Sequence, residues 1–250
     1  MFQQYPVLDS TSSLALDLAQ QGAEQGTVVQ ADQQTGGRGR GGRSFASPLG
    51  GLYFSLIVRP ALEPGDFPLL TLAAGVGLSR GIKQATGVQV QLKWPNDLYV
   101  ADRKLGGILT ESGPLRGGLP EFVVIGVGIN VATLPEQFPL DLRGRIISLA
   151  ELGVAYHPID LLPPLCEALL VAVKQLQQDK AAVLAEWRQR DYLLGRPLEY
   201  YHEGQVLSAI GAGLAEDGRY LVLDQQQVEH RVTAGDLNPI KVAALRPNEQ

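Results

Sequence analysis

GGRGRGGRSFASPLGG, Gly36 to Gly51, threads Arg38, Arg40 and Arg43 through glycines directly after an apolar, strand-like run. Glycine permits positive φ and close backbone approach to a ligand, and arginine presents a planar fork that matches phosphate or carboxylate oxygens. The stretch reads as a backbone-exposed loop, mobile when empty, that can close over an anion. Gly37, Gly39 and Gly42 also satisfy G-x-G-x-x-G, and that match decides whether a doubly wound parallel sheet should be expected. A dinucleotide fingerprint must open a helix whose N-terminus receives the pyrophosphate. Here Ser47-Pro48 and Gly50-Gly51 follow at once and leave no helix to open. A Walker A loop is excluded too, because no Gly-Lys-Ser/Thr occurs. On the motif alone, an RGG-type loop that touches RNA through its charge stays open.

The totals narrow the choice. A chain of 250 residues, 45% hydrophobic and 19% charged, can bury a sizeable core and fits one large domain plus a small one. Its net charge of −5 argues against a general nucleic-acid binder, whose affinity rests on an excess of lysine and arginine. The N-terminal MFQQYPVLDSTSS has neither a basic start nor an apolar signal core. The longest nearly apolar run, Phe122 to Leu134, falls short of the roughly 18 residues that span a bilayer. A cytoplasmic protein with no membrane partner is expected. The single cysteine, Cys166, lies in LLPPLCEALLVAV and reads as a buried structural thiol. His157, His202 and His230 are far apart and flank no serine or acidic pair at motif spacing, which disfavours a catalytic triad or a zinc site.

Along the chain, a helix is expected over SLALDLAQQ, capped by Ser12 or Ser13, with a strand at Thr27 to Ala31 leading into the loop and another at Leu52 to Val58 leaving it. Near-helical spacing marks Pro68 to Gln84, alternation marks a half-buried strand at Val88 to Trp94, and Lys104 to Glu111 and Phe122 to Val131 are further strands. Leu161 to Gln177 and Ala181 to Arg190 read as helices. Beyond Gly195, the short runs Leu198-Tyr201, Val206-Ile210, Tyr220-Leu223 and Arg231-Thr233 suggest a small all-β barrel. The expected division is 1–194 and 195–250.

More motifs precede residue 132: DST at Asp9–Thr11, KWPNDLYV at Lys93–Val100 followed by DRKLGGILTE, and IGVGINV at Ile125–Val131. Pro95 pushes Trp94 into an extended conformation and Asn96-Asp97 favour a turn, so KWPND is a strand ending in a corner that presents a carboxylate. That corner fits either a satisfied hairpin turn or a holder of Mg²⁺ on nucleotide phosphates. Lys104, before the glycine pair of LGGIL, is either a solvated charge at a strand start or a cation beside a closely approached ligand. Gly126, Gly128 and Asn130 suit a close-approach strand or a tightly packed core strand.

Taken in order with QQTGGRGRGGR, these motifs resemble the biotin protein ligases from Asp9 to the C-terminus. The resemblance implies an α+β fold: a mixed β-sheet with flanking helices, like the catalytic domain of class II aminoacyl-tRNA synthetases, plus a C-terminal SH3-like β-barrel. It implies biotin and ATP as substrates, Mg²⁺ as cofactor, and the acceptor lysine of a biotin carboxyl carrier protein domain as partner. By the same matching, Lys104, Arg38 and Arg40 are catalytic. Biotin would meet Ser10, Thr11, Gln34, Gly37, Arg38, Arg40, Lys104, Gly106 and Gly107, and Ser10 would also serve as a helix N-cap. ATP or the adenylate would meet Arg40, Arg43, Phe45, Lys93, Trp94, Asn96 and Asn130, with Asp97 on the metal. Phe45 stands where the family usually has tryptophan, which keeps apolar cover and loses an indole donor. With only eight residues before Asp9, the expectation is the short, monofunctional type that binds no DNA. The family also allows a homodimer, although no residue marks its interface. The lipoate ligases, related in fold and adenylation chemistry, lack GRGRGGR.

Overall fold

The computed structural model describes residues 1–202, 205–232 and 237–240. Up to Asn130 it is built on one mixed sheet. In chain order come strand β1 (Phe2–Leu8), helix α1 (Thr11–Gln20), β2 (Val28–Gln34), β3 (Gly51–Val58), α2 (Leu69–Thr86), β4 (Gln91–Lys93), β5 (Asp97–Val100), β6 (Arg103–Ser112), the short hairpin β7 (Leu115–Arg116) and β8 (Leu119–Pro120), and β9 (Val123–Asn130). The sheet order is β1-β2-β3-β9-β6-β5-β4. β1 runs parallel to β2 and every other neighbouring pair is antiparallel. β1 was not legible beforehand: FQQYPVL carries Pro6 and no clean alternation. An edge strand tolerates proline because one side of its backbone needs no partner.

β3 and β9 are buried along their whole length, as strands covered on both faces must be, and their side chains alternate between two cores. Leu52, Phe54, Leu56 and Val58 join Val123, Ile125, Val127 and Ile129 in the large core beneath α2 and α3 (Leu162–Gln178). Ile57 and Val124 face the small core that α1 covers with Ala15 and Ala19. α1 starts at Thr11 and is capped by Ser10, whose Oγ accepts from Ser13 N–H at 3.4 Å. Of the expected caps Ser10 serves as one, while Ser12 and Ser13 lie inside the helix, where Ser12 spends its hydroxyl on Ser55. Of the expected strand Val88–Trp94 only β4 pairs, because Gly87, at φ 76°, ends α2 and the chain needs the intervening residues to turn back.

After α3 come α4 (Lys180–Arg188), β10 (Pro197–His202), β11 (Gln205–Leu214), β12 (Tyr220–Leu223), β13 (Glu229–Val232) and β14 (Asn238–Pro239). The last five strands form an antiparallel sheet in the order β13-β12-β11-β10-β14. A closed barrel was expected; among the described residues β13 and β14 are not bonded to each other and no closure is found. Thr233, the end of one expected strand, and 241–250 lie outside the described residues. Leu198, Tyr200, Leu214, Tyr220 and Val222 of this sheet belong to the same core cluster as α2, α3 and α4. The chain crosses from one sheet to the other near 191–196 without a break in packing.

Asp191 sits at that crossing. Its Oδ1 accepts from Leu193 N–H and its Oδ2 from Tyr220 O–H, each at 2.8 Å. Burial pushes the carboxyl up to about 6, against the opposing pull of those hydrogen bonds. A folded-state pKa above the unfolded one means that the native chain holds the extra proton between about pH 4 and 6, so stability falls as pH rises through that window and then levels. The drop from this group is on the order of 3 kcal/mol. Asp191→Asn, which still accepts from Leu193 and can donate to the Tyr220 oxygen, should gain on the wild type as pH rises from 4 to 7. Urea denaturation across that range checks it; parallel profiles for the two proteins would refute it.

Candidate active site

A cleft of about 410 Å³ opens on the sheet face that α1 partly covers. Glycines make the opening. On β9 the residues that alternate with the core valines are Gly126 and Gly128, so this strand offers bare backbone to the cleft. A Cβ at Gly126 would strike Ser12 Oγ, and one at Gly128 would strike the Phe45 ring. At Gly107 of β6, an added Cβ would stand 3.4 Å from each of Asp97 Oδ1, Lys104 Nζ and Phe45 Cε2. Any side chain there would enter the space that these groups surround.

One end of the cleft is a nest of hydroxyls at the start of α1. Gln34 Oε1 accepts from Thr11 N–H at 2.9 Å and Thr11 Oγ1 at 3.2 Å, while its Nε2 donates to Ser47 Oγ at 2.8 Å. Ser55 Oγ lies 2.9 Å from Thr11 Oγ1 and 3.1 Å from Ser12 Oγ. This ties α1, β2, β3 and the exit of the glycine loop together.

The other end carries the charges. Lys104 Nζ is 2.6 Å from Asp97 Oδ1 and 5.7 Å from the centre of the Phe45 ring. Arg38 Nη2 meets Glu111 Oε2 at 2.7 Å, and Arg40 Nη1 reaches Asn96 Oδ1 at 3.5 Å. Asn96 is held in turn by Nδ2 donating to Ile108 O at 2.7 Å and by its own carbonyl accepting from Ile108 N–H. The loop folds on itself: Gly39 N–H donates to Arg43 O at 2.7 Å and Phe45 N–H to Gly37 O at 2.8 Å. Gly41 and Gly42, at φ 61° and 75°, make the turn between them, a backbone state that any side chain would strain. Thus the anion that Arg38 needs is supplied within the chain by Glu111.

Ser10, Thr11, Gln34, Arg38, Arg40, Arg43, Phe45, Lys93, Trp94, Asn96, Asp97, Lys104 and Gly107 line this one cleft. Three residues named from the sequence sit off its surface. Gly37 packs under the Phe45 carbonyl, and Gly106 points its Cα at the β9 backbone. Asn130 is buried, donating to Ile147 O at 3.2 Å and reaching Lys104 O at 3.5 Å. It supports the strand end from which Lys104 projects. Trp94 is only 5% exposed, and its indole N–H donates to Gly218 O at 3.0 Å. Sequence reasoning missed Tyr99, Leu142, Arg145 and Asn238, which also line it, and Glu111. Tyr99 lay within a quoted motif, yet Arg145 and Asn238 arrive on segments with no periodicity or motif. Residues 145–147 lie along Lys104, with Lys104 N–H donating to Arg145 O and Ile147 N–H to Lys104 O, each at 2.9 Å.

Among the described residues no cysteine or histidine lines the cleft. Cys166 is on α3, and burial pushes its thiol up to about 12, so it is not a nucleophile near neutral pH. Among the described residues Asp97 is the one carboxylate in the lining, and no cluster of acidic, histidine or cysteine side chains suited to a metal occurs there. None of the helices found there is long and apolar enough to cross a membrane. The arrangement can orient an anion between fixed cations beside a nook of hydrogen-bonding groups.

The model of the biotin/lipoate A/B protein ligase family matches residues 5–130. The bifunctional ligase/repressor BirA of Bacillus subtilis is 43% identical over 148 residues, 59% of this chain and 45% of that protein, so the chain spans under half the length of that relative. The biotin--[acetyl-CoA-carboxylase] ligase of Mycobacterium tuberculosis is 31% identical over 250 residues, 94% of this chain and 89% of that protein. Among solved structures, the biotin protein ligase from Aquifex aeolicus in complex with biotin and ATP superposes with a TM-score of 0.78 at 26% identity, covering 95% of this chain and 97% of that one.

Proposed function

The chain belongs to the biotin/lipoate A/B protein ligase family, and we propose that it is an ATP-dependent biotin protein ligase. The biotin carboxylate attacks the α-phosphate of ATP, the bond to the β-phosphate breaks, and pyrophosphate leaves, giving biotinyl-AMP. The lysine amine of a biotin carboxyl carrier domain then attacks the acyl carbon; AMP departs and the amine loses a proton. Neither step needs a protein nucleophile. Both need two anions aligned and the charge growing on phosphate oxygens neutralised by preorganised donors. The observation that carries the reading is the convergence of Lys104, Arg38, Arg40 and Arg43 on one cleft whose far end is the Thr11–Gln34–Ser55 nest.

In this reading the ureido ring of biotin takes the nest with Ser10, Thr11 and Gln34, and its valeryl chain runs over the bare backbone of Gly126 and Gly128. Lys104 and Arg38 meet the reacting carboxylate and phosphate, while Arg40, Arg43, Phe45, Lys93 and Asn96 surround the nucleotide. A lone carboxylate fits a magnesium ion held chiefly by the phosphates of its substrate, since Mg²⁺ keeps to one or two carboxylates in such sites. Asp97 would exchange Lys104 for that ion, freeing the ammonium for the substrate anions. Closure of the loop over the adenylate would keep water from the mixed anhydride. The division of labour between 1–194 and 195–250, and a homodimer, remain parts of the proposal.

The test is pyrophosphate release from MgATP by the purified chain with biotin, with lipoate and with neither. Release should require biotin. Release indifferent to biotin, or driven by lipoate instead, would overturn the assignment.

A further inference from the structure

Glu111 closes the DRKLGGILTE motif, and the ligase reading gives it no role. It stands on β6 in the same alternation as Gly107 and Leu109, both of which line the cleft, while Glu111 itself is not in the lining. The glycine loop that carries Arg38 leaves β2 and returns to β3, and β9 lies between β3 and β6. Arg38 therefore crosses β9 to bring its Nη2 2.7 Å from Glu111 Oε2. The loop backbone, by contrast, closes on itself. Gln34 N–H donates to Ser47 O at 3.2 Å, and Arg38 and Ser44 pair as an isolated antiparallel bridge. Arg38 is thus an arm that leaves a small folded hairpin for the far bank of the cleft.

The two side chains keep 38% and 25% of their exposure. Ion pairs that open to solvent add little to stability, so holding the fold together is a weak reason for this one. A carboxylate this near an anion site would also repel the substrate. Its presence makes sense if it orders the arginine. A guanidinium has five N–H donors in a rigid fork, and a bond from Nη2 to Glu111 leaves donors for a second anion. We propose that Glu111 is a positioning residue: it latches the Arg38 fork, and through it the glycine loop, across the cleft before the substrate anions arrive. The inference rests on the ligase reading for what Arg38 meets, the reacting carboxylate and phosphate. It goes further by giving a task to a carboxylate that touches neither. Ordering the arginine in advance spares that cost during the reaction.

A double-mutant cycle on the full chain tests it, with Glu111→Ala, Arg38→Ala and the pair together; Glu111→Gln, of nearly the same shape, serves if the alanine variant folds poorly. In biotin-dependent pyrophosphate release, Glu111→Ala should lower kcat/KM about 10- to 10²-fold, as a misplaced group does. Arg38→Ala should lower it about 10²–10³-fold. If Glu111 acts through Arg38, the double variant stays within about twofold of Arg38→Ala. A residue with only a structural role would not give that result. The second measurement needs no turnover: trypsin cleavage after Arg38, Arg40 and Arg43 in the unliganded protein, followed by mass spectrometry. Releasing the latch should speed it about three- to tenfold, the loss of one ordinary hydrogen bond. Losses that multiply in the double variant, or unchanged loop cleavage, would overturn the proposal. So would a Glu111→Ala enzyme as fast as the wild type or faster, the mark of a carboxylate that merely competes with substrate. A wild type that releases no pyrophosphate counts against the ligase reading, and the latch then stands or falls on the proteolysis alone.

Discussion

Lys104→Ala should slow biotin-dependent pyrophosphate release by about 10²–10³-fold, the usual loss when one preorganised charge contact at a transition state is removed. The geometry separates this effect from folding. Among the described residues Lys104 Nζ pairs with Asp97 Oδ1 and lies 5.7 Å from the centre of the Phe45 ring, and its side chain stays partly exposed, so truncation leaves no core cavity. The strand itself stays clamped, because the bonds to Arg145 and Ile147 are made by the Lys104 backbone. The variant should match the wild type in thermal midpoint and circular dichroism while turnover collapses. The change is more than the loss of one cation, since Asp97 is left facing the substrate anions unpaired. Rates within about threefold of wild type in single-turnover assays would remove Lys104 from the chemistry.

How much of this was legible in the sequence depends on what each residue was asked to do. Lys104, Asp97 and Arg40 were named through the resemblance, the residue patterns alone leaving a solvated charge or a satisfied turn open, and all three line one cleft. Trp94 shows the limit of that logic. Its place in KWPND suggested the nucleotide, but its indole is claimed by Gly218, 124 positions away, and no local pattern encodes such a pairing. Gly106 and Gly107 make the same point at single-residue scale. One faces the cleft and the other the β9 backbone, as the period of 2 in a strand demands, although both looked equally suited to close approach. No residue pattern marks Glu111 as a partner of Arg38; only the fold of the glycine loop brings the two together. The strands of the C-terminal segment were readable from its turn residues, whereas their continuity with the large core was not. Across the expected boundary at Gly195, side chains on both sides share one core cluster.

That continuity sets the expectation for Trp187→Ala. Trp187, on α4, is 1% exposed and meets Tyr220 edge to face, with ring centres 6.4 Å apart. The neighbouring Arg188 Nε donates to Leu214 O of β11 at 2.9 Å, so the helix is fixed to the C-terminal sheet by packing and by a hydrogen bond. Emptying a buried tryptophan site costs about 3–5 kcal/mol, a large share of the 5–15 kcal/mol that typically holds a domain. For a chain of this size the thermal midpoint should fall on the order of 10 °C. The form of the transition is the sharper test. The chain has two tryptophans, so in this variant all indole fluorescence comes from Trp94, which lies against Gly218 and Tyr220 and reports undocking of the C-terminal sheet. If 1–194 and 195–250 share one core, that signal and the far-UV dichroism will change together in one cooperative step. Trp94 fluorescence shifting well before the helices melt would mean that the C-terminal sheet can leave an intact catalytic domain. The Trp94–Gly218 bond would then be a contact between separable modules.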